Sequence, residues 1–125
     1  KKENGNMNIM VVDDSAAMRN MIIRTLRQAG FGGNDISQAE DGLVALESIK
    51  KSVPDLVLAD WNMPNMTGIE LLEAMNEEGI KTKFGFITTE ATADMRAKAS
   101  AGGAKFLISK PFSVESFEKV LSAIM

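Results

Sequence analysis

Between Asn8 and Met125, short apolar runs alternate with helically spaced apolar residues, five times in succession. A run of consecutive apolar residues offers no polar face to water, so it belongs in a sheet covered on both sides. The expected strands are Asn8 to Val12, Ile36 to Ala39, Leu56 to Ala59, Phe84 to Ile87 and Lys105 to Ser109. Between them, apolar residues recur at helical spacing. Met18, Met21, Ile22, Leu26 and Ala29 mark a first helix over Ala16 to Ala29, and Leu43, Leu46 and Ile49 a second. Ile69, Leu72 and Met75 mark a third, Ala91 to Ala101 an Ala-rich fourth, and Val114, Phe117, Leu121 and Ile124 a fifth. Gly30, Gly79 and Gly102-Gly103 stand where helices stop. Asp14 or Ser15 caps the first helix, and Pro54 closes the second. Parallel strands need crossover helices, and right-handed crossovers place them on both faces. The expectation is an α/β fold: a doubly wound, five-stranded parallel sheet with five helices, one domain over 8–125 after a flexible tail over 1–7.

Three of the strands finish in charge. The first runs into Asp13-Asp14, the third into Asp60 and the fifth into Lys110-Pro111. An open α/β sheet places its chemistry at the carboxyl ends of its strands. Two carboxylates about 4 Å apart repel by roughly 4 kcal/mol at an effective dielectric near 20. Three of them call for a hard cation, and Mg2+ accepts one or two carboxylates with water and phosphate oxygens. Lys110 adds a compact positive charge at the same edge. Thr88 ends the fourth strand, where its hydroxyl could meet a phosphoryl oxygen. Each residue also has a plainer role open to it. Asp13 and Asp14 could cap a helix, Thr88 could be an ordinary strand-end residue, and Lys110 a solvated lysine before a turn.

Composition removes several other functions. The 125 residues include no cysteine and no histidine. Disulfides, thiolate metal sites, histidine bases and a self-contained phosphohistidine relay are therefore excluded. A net charge of -3 with no Lys/Arg stripe argues against nucleic acid. No apolar run reaches membrane-spanning length and no signal peptide is visible, so the expected location is the cytoplasm.

Val11-Val12-Asp13-Asp14-Ser15, Asp60 to Gly68, Ile87-Thr88-Thr89-Glu90-Ala91 and Lys110-Pro111-Phe112 resemble the receiver domains of bacterial two-component response regulators. Asp60 to Met66, Ala39-Glu40-Asp41-Gly42 and Met18-Arg19-Asn20 are similar to the single-domain CheY-like kind. The resemblance implies a flavodoxin-like fold and a phosphorylation-activated switch, most of all in chemotaxis. Asp60 would accept a phosphoryl group from a histidine kinase. Asp14, Asp60 and the carbonyl of Asn62 would bind Mg2+, with Asp13 acting mostly through a bound water. Thr88 and Lys110 would contact the phosphoryl group, and Asn62, Thr89 and Glu90 would tune its lifetime. The partners implied are the kinase, an output protein such as the flagellar motor switch, and a possible phosphatase. The chain would act as a monomer and not as a turnover enzyme.

One position departs from the family pattern. CheY-like receivers carry an aromatic residue three positions before the active-site lysine, and here that position is Leu107, with Phe106 before it. Neighbouring strand residues point to opposite faces, so Phe106 cannot simply stand in unless the strand slips or bulges. Thr89 is bulkier than the family's common small residue there, and could hinder access to the site or be an ordinary surface threonine. Trp61 reads as a packing residue and a reporter of metal binding. Met63, Met66 and Met95 read as core filler, with an adaptable binding surface as the lesser reading. The fifth helical pattern runs to Met125, as in a stand-alone receiver, although a receiver cut from a larger regulator would end alike. A Mg2+-dependent phosphohydrolase would also use an aspartate at a strand end, but its general acid would fall at Asn62, which cannot serve. A binding-only receiver would lack one of the acids or the lysine, and none is lacking.

Overall fold

The computed structural model describes residues 7–125. Strands β1 (Asn8–Val12), β2 (Asp35–Ala39), β3 (Leu56–Ala59), β4 (Lys83–Thr88) and β5 (Phe106–Ser109) form one sheet. All its pairings are parallel, in the order β2-β1-β3-β4-β5. The helices are α1 (Ala16–Leu26), α2 (Gly42–Lys51), α3 (Gly68–Glu77), α4 (Ala93–Ala101) and α5 (Val114–Ile124). The doubly wound sheet and its five helices stand as the sequence implies. Most of the expected tail lies outside the described residues. Met7 is tied in: its amide donates to Asn34 Oδ1 at 2.9 Å and its carbonyl accepts from Asp35 at 2.8 Å.

The two sheet faces bury separate clusters. Met10, Val12, Val57, Ala59, Phe84 and Phe86 pack under α2, α3 and α4. Ile9, Val11, Leu56, Leu58, Ile87 and Ile108 pack under α1 and α5, around Phe117 and Leu121. Alternate residues of one strand serve opposite faces, which is why β3, and β1 beyond Asn8, carry no polar residue.

Local chemistry sets the helix ends. Ser15, not Asp14, caps α1 by accepting from the Met18 amide at 3.1 Å. The chain after α1 makes a wider turn over Arg27–Phe31 and leaves it at Gly30, whose φ of 100° suits a residue without Cβ. Helix α4 begins at Ala93, two residues later than expected, because the Thr92 hydroxyl caps it through the Met95 amide. One expected core position of α2 is not buried. Leu43 is 47% exposed, while Leu46 and Ile49 anchor the helix as expected, together with Ala45.

Candidate functional site

The order β2-β1-β3 reverses direction at β1, and the loops after β1 and β3 meet at that switch point. Asp13 and Asp60 leave adjacent strands there: the Asp60 amide donates to the Val12 carbonyl at 2.9 Å. One carboxylate oxygen from each of Asp13, Asp14 and Asp60 lies within 4.8 Å of the others. Asp13 is buried, Asp60 half-buried and Asp14 exposed. The Lys110 ammonium reaches in from β5, 3.0 Å from Asp13 Oδ2 and 3.3 Å from Asp60 Oδ2. Its backbone is held to β4, where its amide donates to the Thr88 carbonyl at 2.7 Å. The Lys110-Pro111 bond that follows is cis.

The other oxygens of Asp13 and Asp60 are held as well. Asp13 Oδ1 accepts from the Ser15 amide at 2.9 Å, and its carbonyl accepts from Arg19 Nη1 at 2.6 Å. Arg19 Nε also donates to Gln38 Oε1 at 2.9 Å, so α1 is strapped to the ends of β1 and β2. Asp60 Oδ1 accepts from the Trp61 amide at 2.7 Å. Burial is the chief cause that pushes the Asp60 carboxyl above its ordinary value of 3.8. The Lys110 charge opposes it, Asp13 adds to it, and the Trp61 and Lys110 hydrogen bonds oppose it.

This donor set fits a hard divalent cation. The oxygens converge, Asp14 faces water, and a single ammonium leaves three carboxylates under-neutralised. Asp13, Asp14 and Asp60 could hold Mg2+, with Asn62 two residues beyond Asp60 on the same exposed loop.

Thr88 is fully buried, and its hydroxyl accepts from the Glu90 amide at 3.4 Å. Thr89 and Glu90 are exposed in the loop after β4. Phe106 and Leu107 lie on opposite faces, as strand alternation requires. Phe106 packs toward α5 over Gly85, where a Cβ would come within 2.1 Å of its ring. Leu107 faces the α4 side, and its carbonyl accepts from Arg96 Nη1 at 3.3 Å. Trp61 packs tilted on Phe86 with ring centres 4.7 Å apart, in keeping with a packing role. Met63 is buried and belongs to the core.

The receiver-domain model for response regulators matches residues 9–122. The chain belongs to the response regulator receiver domain family. The chemotaxis protein CheY-3 of Vibrio cholerae is 39% identical over 123 residues, 97% of this chain and 93% of that one. The CheY of Pseudomonas aeruginosa is 35% identical over 120 residues, 94% of this chain and 95% of that one. Among solved structures, the V. cholerae chemotaxis protein CheY4 superposes with a TM-score of 0.84 at 32% identity, covering 97% of this receiver and 100% of that chain. Receivers of this kind are signalling proteins rather than turnover enzymes. No helix among the described residues is long and apolar enough to cross a membrane.

Sequence reasoning missed one acid of this receiver. Asp41 is 3% exposed and caps α2 through the Val44 amide at 2.8 Å, while its second oxygen accepts from Asn65 Nδ2 at 2.7 Å. The Val44 amide first, then the Asn65 amide, hold its carboxyl below the ordinary value against the effect of burial. The sequence signal was an acid before a helix, and its partner lies 24 residues away.

Proposed function

We propose that residues 8–125 form a phosphorylation-activated receiver that takes a phosphoryl group from a histidine kinase onto Asp60. The supporting observation is the Asp60 carboxylate, partly open to solvent, with Lys110 Nζ 3.3 Å from one oxygen. That oxygen pair is a nucleophile beside a fixed positive charge. In the transfer, an Asp60 oxygen forms a bond to phosphorus while the phosphorus–nitrogen bond to the donor imidazole breaks. The electron pair leaves with the imidazole, which takes up a proton in the kinase. Such transfer asks for positioning and charge neutralisation more than covalent machinery. Lys110 meets the growing negative charge on the phosphoryl oxygens, and the Thr88 hydroxyl gives up its contact with Glu90 to reach them. Asp14, Asp60 and the Asn62 carbonyl, with Asp13 mostly through a bound water, would hold Mg2+, which would supply the rest of the charge neutralisation.

The aspartyl phosphate carries about one and a half to two negative charges at the switch point, where the free carboxylate carried one. Readout falls to the face formed by β4, α4 and β5. Helix α4 buries only Ala99 among its residues, so little holds it in place. A groove of about 480 Å³ beside it is lined by Arg96, Leu107, Phe112 and Val120, among others. With Leu107 in place of an aromatic, movement of Thr88 carries the switch. The chemotaxis relatives support a role in chemotaxis, with an output protein such as the flagellar motor switch and a phosphatase acting on Asp60. The protein would work as a cytoplasmic monomer. The test is incubation with acetyl phosphate or phosphoramidate and Mg2+, followed by intact mass. One phosphoryl group should add to the native chain and none to Asp60→Asn. Equal masses for the two would refute the reading.

A further inference from the structure

We propose that Asp41 and Asn65 form a latch that seats the loop after Asp60 for cation binding, which makes Asp41 a positioning residue. The inference rests on the metal site proposed above.

The loop 61–67 carries Asn62 and has no helix or strand of its own. Its first residue is well held. The Trp61 carbonyl accepts from Gly68 at 2.8 Å, and its ring lies on Phe86. Its far half is held by α2. Asn65 takes the left-handed conformation, with φ of 68°, and from there Nδ2 donates to Asp41 Oδ2 at 2.7 Å. Beside it, the Gly42 amide donates to the Met66 carbonyl at 3.1 Å. A Cβ on Gly42 would lie 2.6 Å from that carbonyl, so loop and helix start are in the closest contact backbone allows.

The choice of cap points the same way. The other four helices are capped by hydroxyls, from Ser15, Thr67, Thr92 and Ser113. Among the described residues only α2 uses a carboxylate, although capping needs a single oxygen. A buried acid is costly unless its charge is used. The second oxygen of Asp41 is used on a loop 24 residues away, in a short charge-assisted bond. With both ends of the loop fixed, the Asn62 backbone between them is fixed too, before any ion arrives.

Two substitutions separate the latch from the cap. Asn65→Gly keeps the left-handed backbone, and Asp41→Ser keeps a cap of the kind the other helices use. Mg2+ affinity is followed by Trp61 fluorescence and, independently, by the Mg2+-dependent rise in Tm. Hydrogen exchange of the Gly42 amide is followed in EDTA. Each variant should weaken Mg2+ binding about tenfold, at the low end for residues that orient ligands. The double variant should weaken it no further, because the two remove one contact. Gly42 exchange should quicken in all three without metal. Affinities within about twofold of wild type in both single variants, or effects that multiply in the double, would overturn the latch while leaving the phosphoryl site standing. A wild-type chain that binds no Mg2+ by either readout overturns both.

Discussion

Removing the charge of the proposed acceptor should stabilise the metal-free protein. Asp60 has two acidic neighbours with oxygens within 4.8 Å, and at an effective dielectric near 20 each pair costs about 3.5 kcal/mol. Lys110 at 3.3 Å offsets about 5 kcal/mol of that. The remainder is roughly 2 kcal/mol against the ionised form, somewhat less because water screens the exposed Asp14. Burial of Asp60 adds to the same side. Asp60→Asn keeps the shape and removes the charge, while Lys110 retains Asp13 at 3.0 Å. The expected gain is about 1–2 kcal/mol at pH 7 in EDTA. An unfolding entropy of roughly 2.1 cal/mol/K per residue converts that to about 4–8 °C in Tm for a chain of this length.

The pH dependence follows from the raised carboxyl. The folded state holds the Asp60 proton more tightly than the unfolded state does, so ionisation weakens the fold as pH rises above 3.8. The penalty is complete above the folded value and absent below 3.8, so the advantage of Asp60→Asn should shrink on acidification toward that value. Mg2+ should act in the opposite sense. At a hundredfold excess over its Kd it stabilises the native chain by about 2.7 kcal/mol, enough to overtake a variant that binds it poorly. Thermal scans by circular dichroism in EDTA and in Mg2+ decide the matter. An Asp60→Asn protein that melts at or below wild type in EDTA at pH 7 would refute the electrostatic account.

Lys110→Ala should do the reverse. It leaves Asp13 and Asp60 without their ammonium and should cost about 3 kcal/mol in EDTA, read by urea denaturation, with Mg2+ restoring part of the loss. Gly85→Ala should cost about 1–3 kcal/mol, because its methyl would meet the Phe106 ring at 2.1–2.4 Å. Phe106→Leu in the same chain should recover much of that. Additive losses in the pair would show that the ring is not what excludes the methyl.

What the sequence showed and what it hid differ by the range of the interaction. Strands β1 and β3 were legible because continuous apolarity is a local property, and the charges at their ends were legible with them. Ser15 and Thr92 are also local signals, but Ala91 and Ala93 are equally good helix formers. Propensity therefore could not place the start of α4, whereas the Thr92 hydroxyl does. Leu43 fits the helical spacing of α2 as well as Leu46 does, yet spacing does not fix how wide the buried face is, and the packing on β1, β3 and α3 takes in Leu46 and Ile49 but not Leu43. Phe106 and Gly85 illustrate the longer range. Their pairing depends on the β4–β5 register, and only that register turns a glycine in a strand from a weakness into the space for a ring. Asp41 is the extreme case. Read locally it is a helix cap and nothing more, while its second oxygen acts across 24 residues on the loop beside the acceptor. The strand-end acids mark where the chemistry is expected, and the contacts that hold their loops in register are formed between elements distant in the chain.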